Sequence, residues 1–350
     1  MTNKFVPEKT EEVDGYVFAS PEMRGMLNKH GKPWTKRTIF LYNVEQVLYR
    51  NNKWHAKRRK PVSEATKSHR FNECRSMANE LHSLGFKIML PTKFRQKHVK
   101  ALTRYWEGKE DLQPASVIQK VSILRTFLGW VNKSPVIENM TPADMFAEPD
   151  KFKRSLVAET DKSWDQNHDP IEIITKVTMD DERVGKQLML SHLFGLRAKE
   201  TWCFKPHRDY DADGKMIHVR SGSKGGRPRL VAVTTQKQRE FLEELCDFVR
   251  ERDDSLIPRR TGLSAWRNHY YKIVNRNGIN RKNGLTPHGL RHGYAHNLYQ
   301  QHAGHPAAVK ESGKPDDFDK VQARIANLLV SEQLGHSRES ITSAYTGKHQ

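Results

Sequence analysis

The sequence predicts a mostly α-helical, multidomain protein, with a helical domain followed by a mixed α+β domain that carries one small antiparallel sheet. Three observations predict it. Apolar residues recur at helical spacing along most of the chain beyond residue 63. Around 136–168 prolines and charge mix without a steady period, which separates two such regions. One stretch, "MIHVRSGSKGGRPRLVAV", has a different character, with two short β-branched runs flanking a glycine-rich turn. A length of 350 residues suits two domains and a small third.

Taken in order, residues 1–62 read as polar and irregular, apart from "TKRTIFLYNVEQVLYR", which fits one amphipathic helix. This basic N-terminal segment closes on "KWHAKRRK", where Lys53, Lys57, Arg58, Arg59 and Lys60 crowd together. Such a run suits a solvated loop and, equally, an arm that touches phosphates. Residues 63–135 read as a helical domain. Phe71, Cys74, Met77, Ala78 and Leu81 line one face, and "SLGF" supplies a glycine stop. A second helix carries Val99, Leu102 and Trp106. A third opens at Pro114, whose fixed φ suits a first turn, and repeats apolar residues at 117, 121, 124, 128 and 131. Residues 136–168 read as a linker. The second domain, 169–350, starts helical as far as "GKQLMLSHLFGLRAKETWCF". The β-hairpin follows, with Gly222, Gly225 and Gly226 in its turn and Pro228 marking the second strand as an edge. The text is helical again in "QKQREFLEELCDFVRER" and after "LTP" at 285–287.

Charge narrows the partners. Sixty Lys and Arg stand against 41 Asp and Glu, a formal +19 with an isoelectric point near 9.8. That surplus favours a polyanion, with nucleic acid first. A membrane surface fits less well, because no long apolar run or amphipathic anchor accompanies the charge. Cys74, Cys203 and Cys246 are odd in number and far apart, so neither a disulfide frame nor a cysteine zinc site is indicated and a cytoplasmic setting is expected. The N-terminal residues contain no apolar signal core.

Four stretches concentrate reactive side chains: "FGLRAKE" with Arg197 and Glu200, "GSKGGRPR" with Lys224, "TPHGLRHGYAH" with His288 and Arg291, and "LGHSRESITSAYTG" with His336 and Tyr345. Phosphodiester transfer without a metal needs a nucleophile, guanidiniums on the non-bridging oxygens, an acid for the leaving oxygen and a base for the nucleophile's proton. The four stretches hold one of each kind. His288, His292 and His296 would share a helix face, which could suggest zinc. No HExxH is present and no carboxylate or cysteine beside them completes a set, so packing or hydrogen bonding is the expected role.

These boxes, in this order, resemble the tyrosine recombinases of the phage-integrase type. The matching text is Gly195-Leu196-Arg197 with Glu200, Lys224 on the hairpin turn, His288-Gly289-Leu290-Arg291-His292, and Leu334-Gly335-His336 with Tyr345 nine residues on. The resemblance covers roughly residues 70–350 and includes a SAM-like core-binding domain at 63–135. It implies that Tyr345 attacks DNA to form a 3′-phosphotyrosyl link, that Arg197 and Arg291 clamp the phosphate, and that Lys224 protonates the leaving oxygen. It also implies that His288 assists proton transfer, that His336 bonds a phosphate oxygen and that Glu200 orients its neighbours. Lys57, Arg58, Arg59 and Lys60, with Arg227 and Arg229 in the hairpin, are expected to touch DNA. No cofactor and no metal is expected.

The implied function is site-specific recombination of double-stranded DNA, serving integration or excision of a mobile element. Alternatives are resolution of chromosome or plasmid dimers by the same chemistry, topoisomerase-like relaxation, or a catalytically silent DNA-binding relative. A homo-tetramer on synapsed sites, directionality or DNA-bending factors and a nucleoid-associated location follow from the resemblance alone. Two departures stand out. The interval from Arg291 to His336 is longer than the family's, the excess reading as the polar stretch 301–322. Only "TGKHQ" follows Tyr345, too short for the trailing helix that many relatives dock on a neighbour, so either more sequence follows or subunits couple through another surface.

Overall fold

Each apolar periodicity of the sequence becomes a helix in the computed structural model, which describes all residues except 1–6, 29, 57–59, 154, 156, 224–225, 312–317, 337–340 and 349–350. The chain divides into two compact units, Met1–Arg154 and Ser155–Gln350.

The first unit opens on an element that the sequence reading leaves as irregular. Strands β1 (Thr10–Val13) and β2 (Tyr16–Ala19) pair as an antiparallel hairpin. Their two-residue turn is Asp14-Gly15, both at positive φ (52° and 74°), the geometry that matches the twist of paired strands. The charged "TEEV" of β1 hides the alternation, whereas β2 turns Tyr16 and Phe18 inward. Helix α1 (Lys36–Asn51) is capped by Thr35, whose hydroxyl accepts from Thr38 N. Its buried Asn43 accepts from Ala19 N (2.7 Å) and donates to Ala19 O and Met89 O, which satisfies the backbone at the end of β2. Helices α2 (Glu64–Ser83), α3 (Gln96–Glu107) and α4 (Pro114–Trp130) complete the bundle. Trp106 sits fully buried among them and donates its indole N–H to Glu80 (2.8 Å). The short α5 (Pro135–Glu138) and α6 (Pro142–Met145) follow, and Ile137, Met145 and Phe146 join the same apolar core.

In the second unit, Trp164 is buried against α7 (Pro170–Asp180) and α8 (Glu182–Phe194), with its indole N–H on Thr286 O (2.8 Å). The stretch 136–168 is thus divided, its first part packed in one unit and Trp164 in the other. After α9 (Ala198–Cys203) and α10 (Pro206–Asp209) come β3 (Tyr210–Asp211), β4 (Met216–Val219) and β5 (Arg229–Ala232), an antiparallel sheet ordered β3–β4–β5. The strand after Pro228 lies at its edge, with Val219 opposite Arg229 and Ile217 opposite Val231. Helices α11 (Gln236–Phe248) and α12 (Leu263–Arg276) lead to α13 (Pro287–Ala303), which packs on α8 and α14 (Lys320–Gln333). A last short helix, α15 (Ser343–Thr346), lies on α13. Among the described residues no helix is long and apolar enough to cross a membrane.

Candidate active site

The site is assembled where four chain segments meet the N-terminal half of α13. Helix α8 stops at Gly195, which adopts φ +61°. A side chain there would also collide with the Tyr294 ring, 2.4 Å from an added Cβ, so glycine is required twice over. The reversal delivers Arg197 just ahead of α9 and Glu200 in that helix's first turn. Glu200 accepts from Arg197 N (2.8 Å) and from Arg197 Nη1 (2.8 Å). It therefore caps α9 and orients the arginine with one carboxylate.

Glu200 itself is buried and held from the other side by Arg229, whose Nη1 and Nη2 donate to its two oxygens at 2.8 and 2.7 Å. Arg229 Nε donates to Gln333 O (2.9 Å). Burial alone would raise the Glu200 pKa. The Arg229 bonds and charge, with those of Arg197, hold it down at about 2. The sequence expects Arg229 to touch DNA, and here it is turned inward. Its side chain is 6% exposed, and its Nε, Nη1 and Nη2 each donate to Gln333 or Glu200. The signal for this lay in the strand alternation, because Arg229 shares its face of β5 with the buried Val231.

Proline 287 starts α13, and His288 and Arg291 sit one turn apart on its inner face. Arg291 has no exposed surface. Its Nη1 donates to Gly195 O, its Nη2 to Leu334 O (2.6 Å), and its Nε to the Tyr345 hydroxyl (3.2 Å). Burial lowers its pKa to about 10, which leaves it protonated at neutral pH. The Tyr345 hydroxyl also lies 3.4 Å from His288 Nε2. His336, placed by the turn after α14, stacks on the Tyr345 ring at 5.2 Å between centroids, and His292 approaches the ring to 4.6 Å. Burial, then the charges of nearby Arg291 and Arg197, depress His288 to about 4 and His336 to about 3. For His292, at about 3, burial again leads, followed by the neighbouring histidines.

The result is a cluster of three guanidiniums around one carboxylate, with neutral imidazoles against a phenol. Such a site attracts a phosphodiester anion, and its imidazoles are unprotonated at neutral pH. A cleft of about 670 Å³ opens beside it, lined by Arg197 and His288 together with Lys199, Tyr271, Asn275 and Arg281.

Of the residues singled out in the sequence, Arg197, Glu200, His288, Arg291, His336 and Tyr345 converge here. Lys224 lies outside the described residues, as do Lys57, Arg58 and Arg59. Lys60, in the first unit, and Arg227, in the second, are exposed. His296, one turn beyond His292, donates from Nε2 to Tyr345 O (2.8 Å). Among the described residues no group of His, Cys, Asp or Glu is arranged to hold a metal ion.

Comparison with known proteins gives one family, described as Integrase, which matches residues 158–297. No curated protein matches the chain. Several solved structures share its fold at low sequence identity. The Tn1549 transposon integrase in complex with transposon right end DNA has a TM-score of 0.55 at 12% identity, over 91% of this chain and 96% of that one. The XerH site-specific recombinase bound to difH substrate, in a pre-cleavage complex, has 0.56 at 14%, over 93% and 97%. A lambda integrase dimer bound to a COC′ core site has 0.51 at 16%, over 86% and 76%.

Proposed function

We propose that this chain, whose residues 158–297 match the family described as Integrase, is a tyrosine recombinase, a site-specific DNA recombinase that uses Tyr345 as its nucleophile. One observation carries the reading. The Tyr345 hydroxyl is held by Arg291 Nε at 3.2 Å and faces a neutral His288 at 3.4 Å, so nucleophile, anion clamp and proton acceptor share one point.

On this reading the scissile phosphate enters beside Arg197 and Arg291. The phenol oxygen attacks phosphorus and its proton passes to His288 Nε2. The bond to the 5′ oxygen breaks, and that oxygen takes a proton from Lys224. His336 steadies a non-bridging oxygen, and Glu200 keeps Arg197 in line. Because the phosphotyrosyl ester conserves the broken bond, the 5′ hydroxyl of a second strand can reverse the step without an external energy source. The positive charge of the chain supplies salt-dependent affinity for duplex DNA.

The biological setting we favour is integration or excision of a mobile element, supported by the fold shared with the Tn1549 transposon integrase and lambda integrase. Dimer resolution is the second reading, supported by an equally good fit to the XerH recombinase. Action as a tetramer on synapsed sites, with accessory bending or directionality factors, and a cytoplasmic, nucleoid-associated location belong to the same proposal.

The test is covalent trapping. The purified chain is mixed with labelled DNA spanning the ends of its own gene's locus, in EDTA, on nicked duplexes that prevent religation, and run under denaturing conditions. Wild type is expected to give a protease-sensitive adduct, and Tyr345→Phe none while still binding DNA. An adduct that persists in Tyr345→Phe would remove Tyr345 from its role.

A further inference from the structure

Helix α15 has four residues, too few to hold itself, yet Tyr345 at its centre is only 7% exposed. Bonds from three remote segments hold it. Ala158 N donates to Ser343 O (2.8 Å), and Val309 N donates to Thr346 O (3.2 Å). His296 Nε2 donates to the carbonyl of Tyr345 itself (2.8 Å). Thr346 Oγ1 adds a bond to Asn327 Oδ1 (3.0 Å). Directly after the helix, Gly347 at φ +73° passes between two of these segments, where an added Cβ would lie 2.8 Å from Val309 Cγ1 and 3.2 Å from Ala158 O. The segments therefore close on the chain as tightly as a glycine permits.

Behind His296 lies a second layer. Its Nε2 carries the proton given to Tyr345 O, so Nδ1 is where the ring takes its second proton, which a facing carboxylate favours. That atom is buried, has no hydrogen-bond partner and faces Asp161 Oδ1 at 3.5 Å. The other Asp161 oxygen is 3.6 Å from Lys310 Nζ. Lys310 and Val309 both belong to the stretch 301–322 that lengthens the interval between Arg291 and His336.

We propose that Ala158, Asp161, His296, Val309 and Lys310 form a clasp on the backbone of α15 that positions Tyr345 in its own chain's active site, and that Val309 and Lys310 of the added stretch serve this internal purpose. The proposal rests on Tyr345 as the nucleophile. His296 touches no reacting atom and is a positioning residue. Its leverage is geometric, because a displacement of about 1 Å at a nucleophile can cost on the order of a hundredfold in rate.

The test uses the full chain and needs no knowledge of the DNA target. Tyrosines are nitrated with tetranitromethane, and the Tyr345 peptide is followed by mass spectrometry in wild type, His296→Leu, His296→Gln and Lys310→Gln. Tyr270 and Tyr299 are both buried and serve as controls, and Tyr299 lies on α13 in the same apolar cluster as Tyr345. Nitration of Tyr345 is expected to rise about tenfold in His296→Leu and about threefold in Lys310→Gln, with both controls unchanged, as for a local opening. Glutamine at 296 can still donate to the carbonyl and is expected to return the rate to within about twofold of wild type.

If Tyr345 nitrates at the wild-type rate in both His296→Leu and Lys310→Gln, the clasp is overturned. A rise shared by Tyr299 would mean that His296 serves general packing, which also overturns it. Should His296→Leu fail to fold, Lys310→Gln decides, since Lys310 is partly exposed and its loss leaves the core intact. Trapping with Tyr345→Phe separates this proposal from the reading beneath it. An adduct in Tyr345→Phe rejects the nucleophile, whereas an unchanged nitration pattern rejects only the clasp.

Discussion

The two units of this protein bury different things. The interior of the first is apolar, with Phe40, Leu81, Leu102, Trp106 and Leu128 packed in one cluster and an occasional polar group such as Asn43 satisfying a strand end. Around α13 the interior of the second is polar. Arg291, Glu200, His292 and His296 are buried there beside Tyr345, each held by named partners. An apolar interior tolerates exchange so long as volume is kept, whereas a buried ionic network fails when one member leaves its partners unsatisfied. The first unit can therefore drift in sequence while keeping its shape, and the second has little such freedom at these positions.

The sharpest way to break that contrast, after removing Tyr345 itself, is Arg291→Lys. A single ammonium cannot reach Gly195 O, Leu334 O and the Tyr345 hydroxyl together. Adduct formation is expected to slow by about 100- to 1,000-fold, as when a preorganised donor is lost. Stability should also fall, by about 1–3 kcal/mol for each buried carbonyl left without a donor. Calorimetry beside single-turnover trapping measures both. A variant that loses activity with an unchanged melting temperature would show that Arg291 is not structurally committed.

The counterpart in the first unit is Trp106→Ala. Its cavity and the orphaned Glu80 contact are expected to cost about 3–5 kcal/mol. At a temperature where the variant remains folded, the chemical step of trapping should stay within about twofold of wild type, because Trp106 belongs to the first unit's core and every residue of the candidate site belongs to the second unit. A loss of the chemical step larger than the loss of DNA binding would contradict the division into two kinds of interior.

How far the sequence announced all this follows the same division. The repeat at 117, 121, 124, 128 and 131 is a hydrophobic pattern, and it became α4 with those faces buried. Arg197, His288, Arg291, His336 and Tyr345 were singled out for another reason, since the boxes that hold them resemble, in order, those of the tyrosine recombinases. Three features escaped. The N-terminal hairpin was masked by charge on β1, although Asp14-Gly15 is a strong turn signal. Arg229 looked like one more surface arginine in a basic turn, and only strand alternation turned it inward. The contact of His296 with Asp161 and Tyr345 O joins residues far apart in the chain, and no local pattern encodes it.

Acid sharpens the comparison last and most gently. In the second unit His192, His288, His292, His296 and His336 all have pKa values pushed below the ordinary 6.5, with burial the first cause in each. In the first unit His82 and His98 are shifted the same way, also by burial first. A histidine depressed in the folded state stays neutral while the unfolded chain takes up protons. Its contribution to stability is therefore fully present above about pH 6.5 and declines as pH falls through that value toward the folded values, about 4 for His288 and about 3 for His336. For the well-buried His288 this is at most about 1.4 kcal/mol per pH unit within that window. The Glu200 carboxyl, held at about 2, is lost only at lower pH, below its ordinary 4.5, so it does not confuse the reading. Hydrogen exchange of the whole DNA-free chain between pH 7 and 5, corrected for intrinsic rates, should show the second unit losing protection more steeply than the first. Equal slopes would mean that the imidazoles around Tyr345 take up protons within the folded protein, and that the site is less sealed than its burial implies.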